Sequence, residues 1–169
     1  MNWTTDDTAQ PIVIITTGGT IDKVYFDASS DYEVGDSVVA ELLHQAQVRQ
    51  PFEVISLLRK DSLDLTDDHR RLIASTIDER TEAKVVVTHG TDTMTQTAQM
   101  LLGLEGKTIV LTGSLAPARF AQSDAVFNIG MAFAAVQTLA SGVYIVMNGQ
   151  VFAADSVRKD KGQNAFVEC

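Results

Sequence analysis

Five short apolar runs recur along the chain, at 12–17 (IVIITT), 52–58 (FEVISLL), 84–88 (KVVVT), 107–112 (KTIVLT) and 143–147 (VYIVM). They are nearly continuous rather than alternating, the pattern of strands covered on both faces. Between them lie stretches of helical spacing. Val38, Val39, Leu42, Leu43 and Ala46 form one stripe, and Leu72, Ile73 and Ile77 a second. Met94, Ala98, Leu101 and Leu102 form a third, and Ala125, Val126, Ile129, Ala132, Phe133 and Val136 the longest. Five strands alternating with four helices imply right-handed βαβ units. The expected class is therefore α/β: a doubly wound, mainly parallel sheet in a three-layer, flavodoxin- or Rossmann-like architecture. By analogy with flavodoxin-like folds, the five runs are expected in the spatial order 2-1-3-4-5.

Local signals support these elements. Thr66, followed by Asp67 and Asp68, reads as an N-cap with acids in the first turn of the second helix. Gly103 and Gly142 fall where helices would stop. Two segments lack periodicity. Residues 18–35 are long for a strand-to-helix loop and are expected to form a functional lid; 148–169 are polar and expected to be irregular. Residues 1–11 read as a flexible tail before a single domain.

Composition narrows the function. A net charge of −9 on 169 residues argues against nucleic acid and anionic membranes as partners. No apolar run approaches the ~20 residues of a membrane span. No export signal is visible in "MNWTTDDTAQP", and the single Cys169 cannot make an internal disulfide, so a cytoplasmic location is expected. No metal-ligand spacing appears and no cofactor is expected.

The polar clusters fall at one kind of place. "TTGGTID" (16–22) follows the first run, "RKDSLDLTD" (59–67) the second, "THGTDT" (88–93) the third and "TGSLAP" (112–117) the fourth. In a parallel sheet these loops emerge at the same carboxyl edge, where open α/β sheets bind ligands. Hydroxyls and carboxylates of Thr16 to Thr20, Ser62, Thr91, Asp92 and Ser114 would converge there. Each has a bland alternative. Gly18-Gly19 can serve as a turn alone, Thr20 as a cap, and Thr91 as the N-cap of a helix over 92–102. His89 is a candidate base, but neither His44 nor His69 looks like its partner. No G-x-G-x-x-G or P-loop spacing supports a phosphate cradle, and the G-x-S-x-G of a serine hydrolase is absent. A threonine nucleophile would need a base and backbone N–H donors for the oxyanion. Lys23, Lys60, Lys159 and Lys161 are the lysines at the proposed edge.

"TTGGTID" and "THGTDTM" (88–94) resemble the two signatures of the bacterial L-asparaginase family. "DYEVG" (31–35), "DSLDLTD" (61–67), "LTGSLAP" (111–117), "SDAVFNI" (123–129), "VMNGQVF" (146–152) and "DSVRKDK" (155–161) extend the resemblance over nearly the whole chain from residue 12. It implies an amidohydrolase that cleaves the side-chain amide of asparagine, or a related amide, in two steps. Thr20 would be the nucleophile, and Tyr32, on the mobile loop, would close over the site and hydrogen-bond Thr20. Thr91, linked to Lys159, would activate a proton acceptor. Asp92 would hold the lysine and the substrate α-amino group, and Ser62 would take the α-carboxylate. The N–H groups of Thr20 and Thr91 would form the oxyanion hole, and Gly19, Leu63, Gly90 and Ser114 would complete the substrate surface.

Two departures stand out. Where the family usually has a polar residue after the serine, often glutamine, this chain has Leu63, which cannot hydrogen-bond. Family members run to about twice this length, with a second domain that lends groups to a neighbouring subunit's site. From these departures two expectations follow: self-association as a homodimer or higher oligomer, and altered turnover. The alternative reading is an amino-acid-binding or regulatory module that keeps the crevice without turnover; ammonia supply inside a larger complex ranks behind both.

Overall fold

The computed structural model describes residues 10–169, so residues 1–9 of the expected tail lie outside it. The strands and helices, in chain order, are β1 (Ile12–Gly18), β2 (Lys23–Phe26), β3 (Asp31–Val34), α1 (Val39–Gln45), β4 (Phe52–Lys60), α2 (Asp67–Asp78) and β5 (Lys84–Thr88). There follow α3 (Met94–Leu101), β6 (Thr108–Thr112), α4 (Ala125–Thr138), β7 (Gly142–Met147), β8 (Gln150–Ala153), β9 (Val157–Asp160) and β10 (Ala165–Glu168).

The main sheet runs β4-β1-β5-β6-β7-β8, with parallel pairing up to β7 and an antiparallel edge strand β8. Restricted to the five apolar runs, this is the expected 2-1-3-4-5 order. Side chains alternate across it because a strand repeats every two residues. Val13 and Ile15 of β1 meet Ile73 and Ile77 of α2 and Met94, Ala98 and Leu101 of α3 on one face. Ile12 and Ile14 meet Val39 and Leu43 of α1 and Ile129, Phe133 and Val136 of α4 on the other. Both faces are covered, which is why the strands read as continuous apolar runs. Ile73 and Ile77 are fully buried, and each such side chain is worth roughly 1.5–3 kcal/mol of transfer free energy.

The Thr66 cap forms as expected. Its hydroxyl accepts from the His69 N–H, and His69 Nδ1 accepts from the Thr66 N–H, a capping box with histidine in the reciprocal position.

Three expectations change. Residues 148–169 are ordered rather than irregular: β8 closes the sheet edge and β9–β10 form a separate hairpin. The missed signal was Asn148-Gly149, both at positive φ (54° and 71°), the residue pair favoured in two-residue hairpin turns. The segment 18–35 contains a second hairpin, β2–β3, tethered at its base by the Gly35 N–H donating to the Asp22 carbonyl. The third helix starts at Met94, not residue 92; Thr91 does not cap it, and its hydroxyl is engaged elsewhere.

Candidate active site

The loops after β1, β4, β5 and β6 meet at the carboxyl edge of the sheet, and glycines let them touch. A Cβ on Gly18 would lie 2.6 Å from the backbone N and O of Lys60, at the end of β4. One on Gly19 would lie 2.4 Å from the nitrogen of Gly90, and one on Gly90 would lie 2.6 Å from Cβ of Ser62. Gly18 and Gly19 also take φ of 98° and 93°, a region costly for residues with a Cβ. The chain then winds into a single 3₁₀ turn over Thr20–Asp22, immediately after the glycine that packs on Gly90.

Asp22 secures that turn from below. Its carboxylate accepts from the Val38 N–H at 3.2 Å, joining the turn to the start of α1. Burial raises its pKa above the usual carboxylate range, against the lowering effects of the Val38 N–H, Ser37 and the nearby Arg119 and Arg59.

Lys159, on β9, reaches across to the β5–α3 loop. Its Nζ donates to Oγ1 of Thr91 at 2.8 Å and to Oδ1 of Asp92 at 2.6 Å. The lysine side chain is 11% exposed and the aspartate 41%, so the lysine is largely sheltered while the aspartate is partly open to solvent. Lys23 is taken by Asp61 at 3.0 Å, Arg158 faces Asp160, and Lys161 lies exposed in the β9–β10 turn. Lys60 ends β4, and of the four lysines weighed at this edge Lys159 is the one hydrogen-bonded to the Thr91-Asp92 pair among the described residues.

The other expected site residues divide. Ser62 is 2% exposed and lies against Gly90, while its neighbour Leu63 is 69% exposed. Ser114 is buried, and its hydroxyl donates to the Ala116 carbonyl at 2.5 Å, so that proton is spent inside its own loop. Tyr32 sits on the β2–β3 hairpin, its ring edge-on to Tyr25 and to Phe120 with centroids 5.4 and 5.8 Å apart. Among the described residues its hydroxyl meets no partner, so the expected bond to Thr20 is not formed in this arrangement.

His89 is a structural residue rather than a base. Its Nδ1 lies 2.7 Å from the Gly90 carbonyl and its Nε2 2.7 Å from the Thr97 hydroxyl, which also accepts from Arg70 Nε at 3.3 Å. The carbonyl can only accept, so Nδ1 carries the proton and Nε2 accepts from Thr97. Burial pulls the imidazole pKa down to about 4, with Arg70 adding to the drop and the Gly90 carbonyl opposing it. This network, and the Asp124 carboxylate that accepts from the Leu115 and Ala116 N–H groups, were not read from the sequence. "SDA" immediately before the apolar stripe of α4 was the available hint for the latter.

No group of three or more His, Cys, Asp or Glu side chains among the described residues could hold a metal ion. No helix among them is long and apolar enough to cross a membrane.

A threonine-bearing turn, a Thr-Asp pair and a lysine thus lie at the carboxyl edge of an open, doubly wound sheet, the edge at which α/β proteins of this class place their ligands. The family is identified by comparison. Residues 11–167 match the family described as "Asparaginase, N-terminal", and the chain belongs to that family. It is 32% identical over 162 residues to the glutaminase-asparaginase of Acinetobacter glutaminasificans, covering 88% of this chain and 49% of that protein. It is 31% identical over 160 residues to L-asparaginase 2 of Escherichia coli strain K12, covering 88% and 46% respectively. The probable cytoplasmic L-asparaginase from Campylobacter jejuni superposes with a TM-score of 0.79 at 27% identity, over 94% of this chain and 51% of that one. The thermostable L-asparaginase from Thermococcus kodakarensis shares the fold, with a TM-score of 0.79 at 24% identity over the same shares. The chain spans about half the length of the curated relatives it matches.

Proposed function

We propose that this chain is an asparaginase-like amidohydrolase domain acting on L-asparagine or a related side-chain amide. The observation that carries the reading is the bond pair from Lys159 Nζ to Thr91 Oγ1 and Asp92 Oδ1. In the proposed reaction Thr20 Oγ1 adds to the amide carbonyl carbon as its proton passes through the Thr91 hydroxyl to Lys159 Nζ, which enters the step as the neutral amine. The N–H groups of Thr20 and Thr91 hold the oxyanion. The C–N bond then breaks, the proton goes to the leaving nitrogen as ammonia departs, and water hydrolyses the threonine ester to free the acid. Ser62 and Asp92 would hold the substrate's α-carboxylate and α-amino group, with Gly19 and Gly90 as backbone walls. Tyr32 would reach Thr20 only when the β2–β3 hairpin closes.

The binding-module reading is favoured by one observation: Leu63 stands 69% exposed beside Ser62 and offers substrate no hydrogen bond. We also propose self-association through α4, where Val126, 56% exposed, lines an apolar groove with Leu42, Val48 and Phe133, and Phe127, 61% exposed, extends the apolar surface toward Gly149.

Ammonia release from asparagine and glutamine, with Thr20→Ala as control, tests the enzyme reading. Activity in the parent that disappears in Thr20→Ala supports it, and activity surviving in Thr20→Ala removes the nucleophile. An inactive parent that binds aspartate establishes the binding module instead.

A further inference from the structure

Lys159 is delivered to the site by a hairpin that is not hydrogen-bonded into the main sheet. Its position is therefore only as good as the hairpin's docking. Lys159 and Phe166 are cross-strand partners. Directly opposed residues of an antiparallel pair project from the same face, so the face that offers Lys159 to Thr91 also sends Phe166 into the core. Phe166 is 1% exposed and packs in the cluster shared with α2 and α3.

A second anchor acts on the backbone. The Phe166 N–H donates to Oδ1 of Asn148 at 2.9 Å. Asn148 is held in its own right, at φ 54° in the two-residue turn between β7 and β8. One short amide side chain thus ties the edge of the main sheet to the strand paired with the one that carries Lys159. Other polar ties of the region include the Cys169 N–H to the Ser156 carbonyl, which closes the hairpin base, Gln99 Nε2 to the Ala154 carbonyl and the Ala154 N–H to the Val143 carbonyl.

We propose that Asn148 is a positioning residue for Lys159: acting through Phe166, it sets the depth at which the β9–β10 hairpin seats, and with it the reach of Nζ to Thr91 and Asp92. Lysine has a long, freely rotating stem, so a small retreat of the strand lets Nζ leave both partners for water. The catalytic consequence rests on the reading of Lys159 given above, but the positioning itself does not.

The test uses the full chain and reads the lysine directly. A short pulse of formaldehyde and borohydride methylates lysine amines in proportion to their freedom, and peptide mass spectrometry resolves the sites. Lys107, whose Nζ is bonded to the carbonyls of Arg80 and Glu82, is the internal reference. Asn148→Gly keeps the left-handed turn and removes only the amide. Asn148→Asp keeps the acceptor.

Lys159 is expected to label about tenfold faster in Asn148→Gly, with Lys107 unchanged, and to return to within about twofold of the parent in Asn148→Asp. Equal Lys159 rates in parent and Asn148→Gly overturn the proposal. A parallel rise at Lys107 overturns it too, since Asn148 would then support the whole fold rather than the lysine. Ammonia release is measured on the same samples. A selective labelling change in a parent that releases no ammonia keeps the positioning role and removes the amidohydrolase reading. An active parent whose Lys159 labelling ignores Asn148 does the reverse.

Discussion

Gly19 and Gly90 stand backbone against backbone, so closely that a Cβ on Gly19 would fall 2.4 Å from the Gly90 nitrogen and 2.5 Å from its Cα. Gly90 leans in turn on Ser62, whose Oγ would lie 2.7 Å from a Cβ there. Three loops from three strands are thereby packed through side chains that are absent. This approach sets Gly19, the residue before Thr20, against Gly90, the residue before Thr91.

Gly90→Ala should lower stability by about 1–3 kcal/mol, because the new methyl meets a buried serine that has no room to retreat. Gly103→Ala, where nothing lies within 4 Å, should stay within about 1 kcal/mol of the parent. Urea denaturation compares them, and equal midpoints for all three proteins would contradict the packing described.

Thr91→Val and Lys159→Met should each lower the ammonia-release rate about a hundredfold or more, and the double variant should lose little beyond either single one. Groups that act as a unit are not additive in this way. Losses that multiply in the double variant would mean that the 2.8 Å bond between them is not used in turnover.

His89 should make the fold acid-sensitive. Its pKa is about 4 when folded and near 6.5 when unfolded, so between those values the unfolded chain binds more protons. Stability from this group is therefore complete above about pH 6.5 and declines as pH falls toward 4, by as much as about 3 kcal/mol. Asp22 has the opposite sign: its raised pKa makes its contribution fall as pH rises through the carboxylate range. The His89 part is isolated by comparing unfolding free energies of the parent and His89→Gln from pH 4 to 7. Parallel curves would show that the imidazole does not titrate between the two states.

Phe120→Ala should free the β2–β3 hairpin, since Phe120 is the aromatic neighbour of Tyr32 outside the hairpin, at 5.8 Å. One such pair is worth about 0.5–1.5 kcal/mol, enough to accelerate amide exchange severalfold in the segment 23–34 without moving the midpoint of global unfolding. Unchanged exchange in that segment would remove Phe120 as the resting contact of the lid.

Phe127→Glu should dissociate the proposed oligomer, by placing a charge on the exposed face of α4. Sedimentation velocity is the measurement, with a dimer or larger species expected for the parent. A parent that sediments as a monomer at high concentration would dismiss that surface as an interface.

The order of strands and helices was legible because burial on both faces of a sheet leaves its mark on every residue: Ile12 through Ile15 must all be apolar when α1 and α4 lie on one side and α2 and α3 on the other. The Thr66 cap was legible because it is a contact within one turn of chain. The convergence of Thr20, Ser62, Thr91 and Asp92 on one edge followed from the same topology. Residues 148–169 were misread because their ties run to distant partners: Phe166 to the core, Lys159 to Thr91 and Asp92. Only the Asn148-Gly149 turn was a local clue.

The sequence by itself determined the layers and the edge at which hydroxyls and carboxylates gather, since these follow from periodicity and the handedness of βαβ connections, while the strand order came by analogy with flavodoxin-like folds. Tertiary structure alone decided that His89 is held between the Gly90 carbonyl and Thr97, that the Ser114 hydroxyl donates to the Ala116 carbonyl, and where Tyr32 rests. Those outcomes turn on distances of a few ångströms between segments far apart in the chain, and hydrogen-bond strength falls away within such distances whatever pattern the sequence shows.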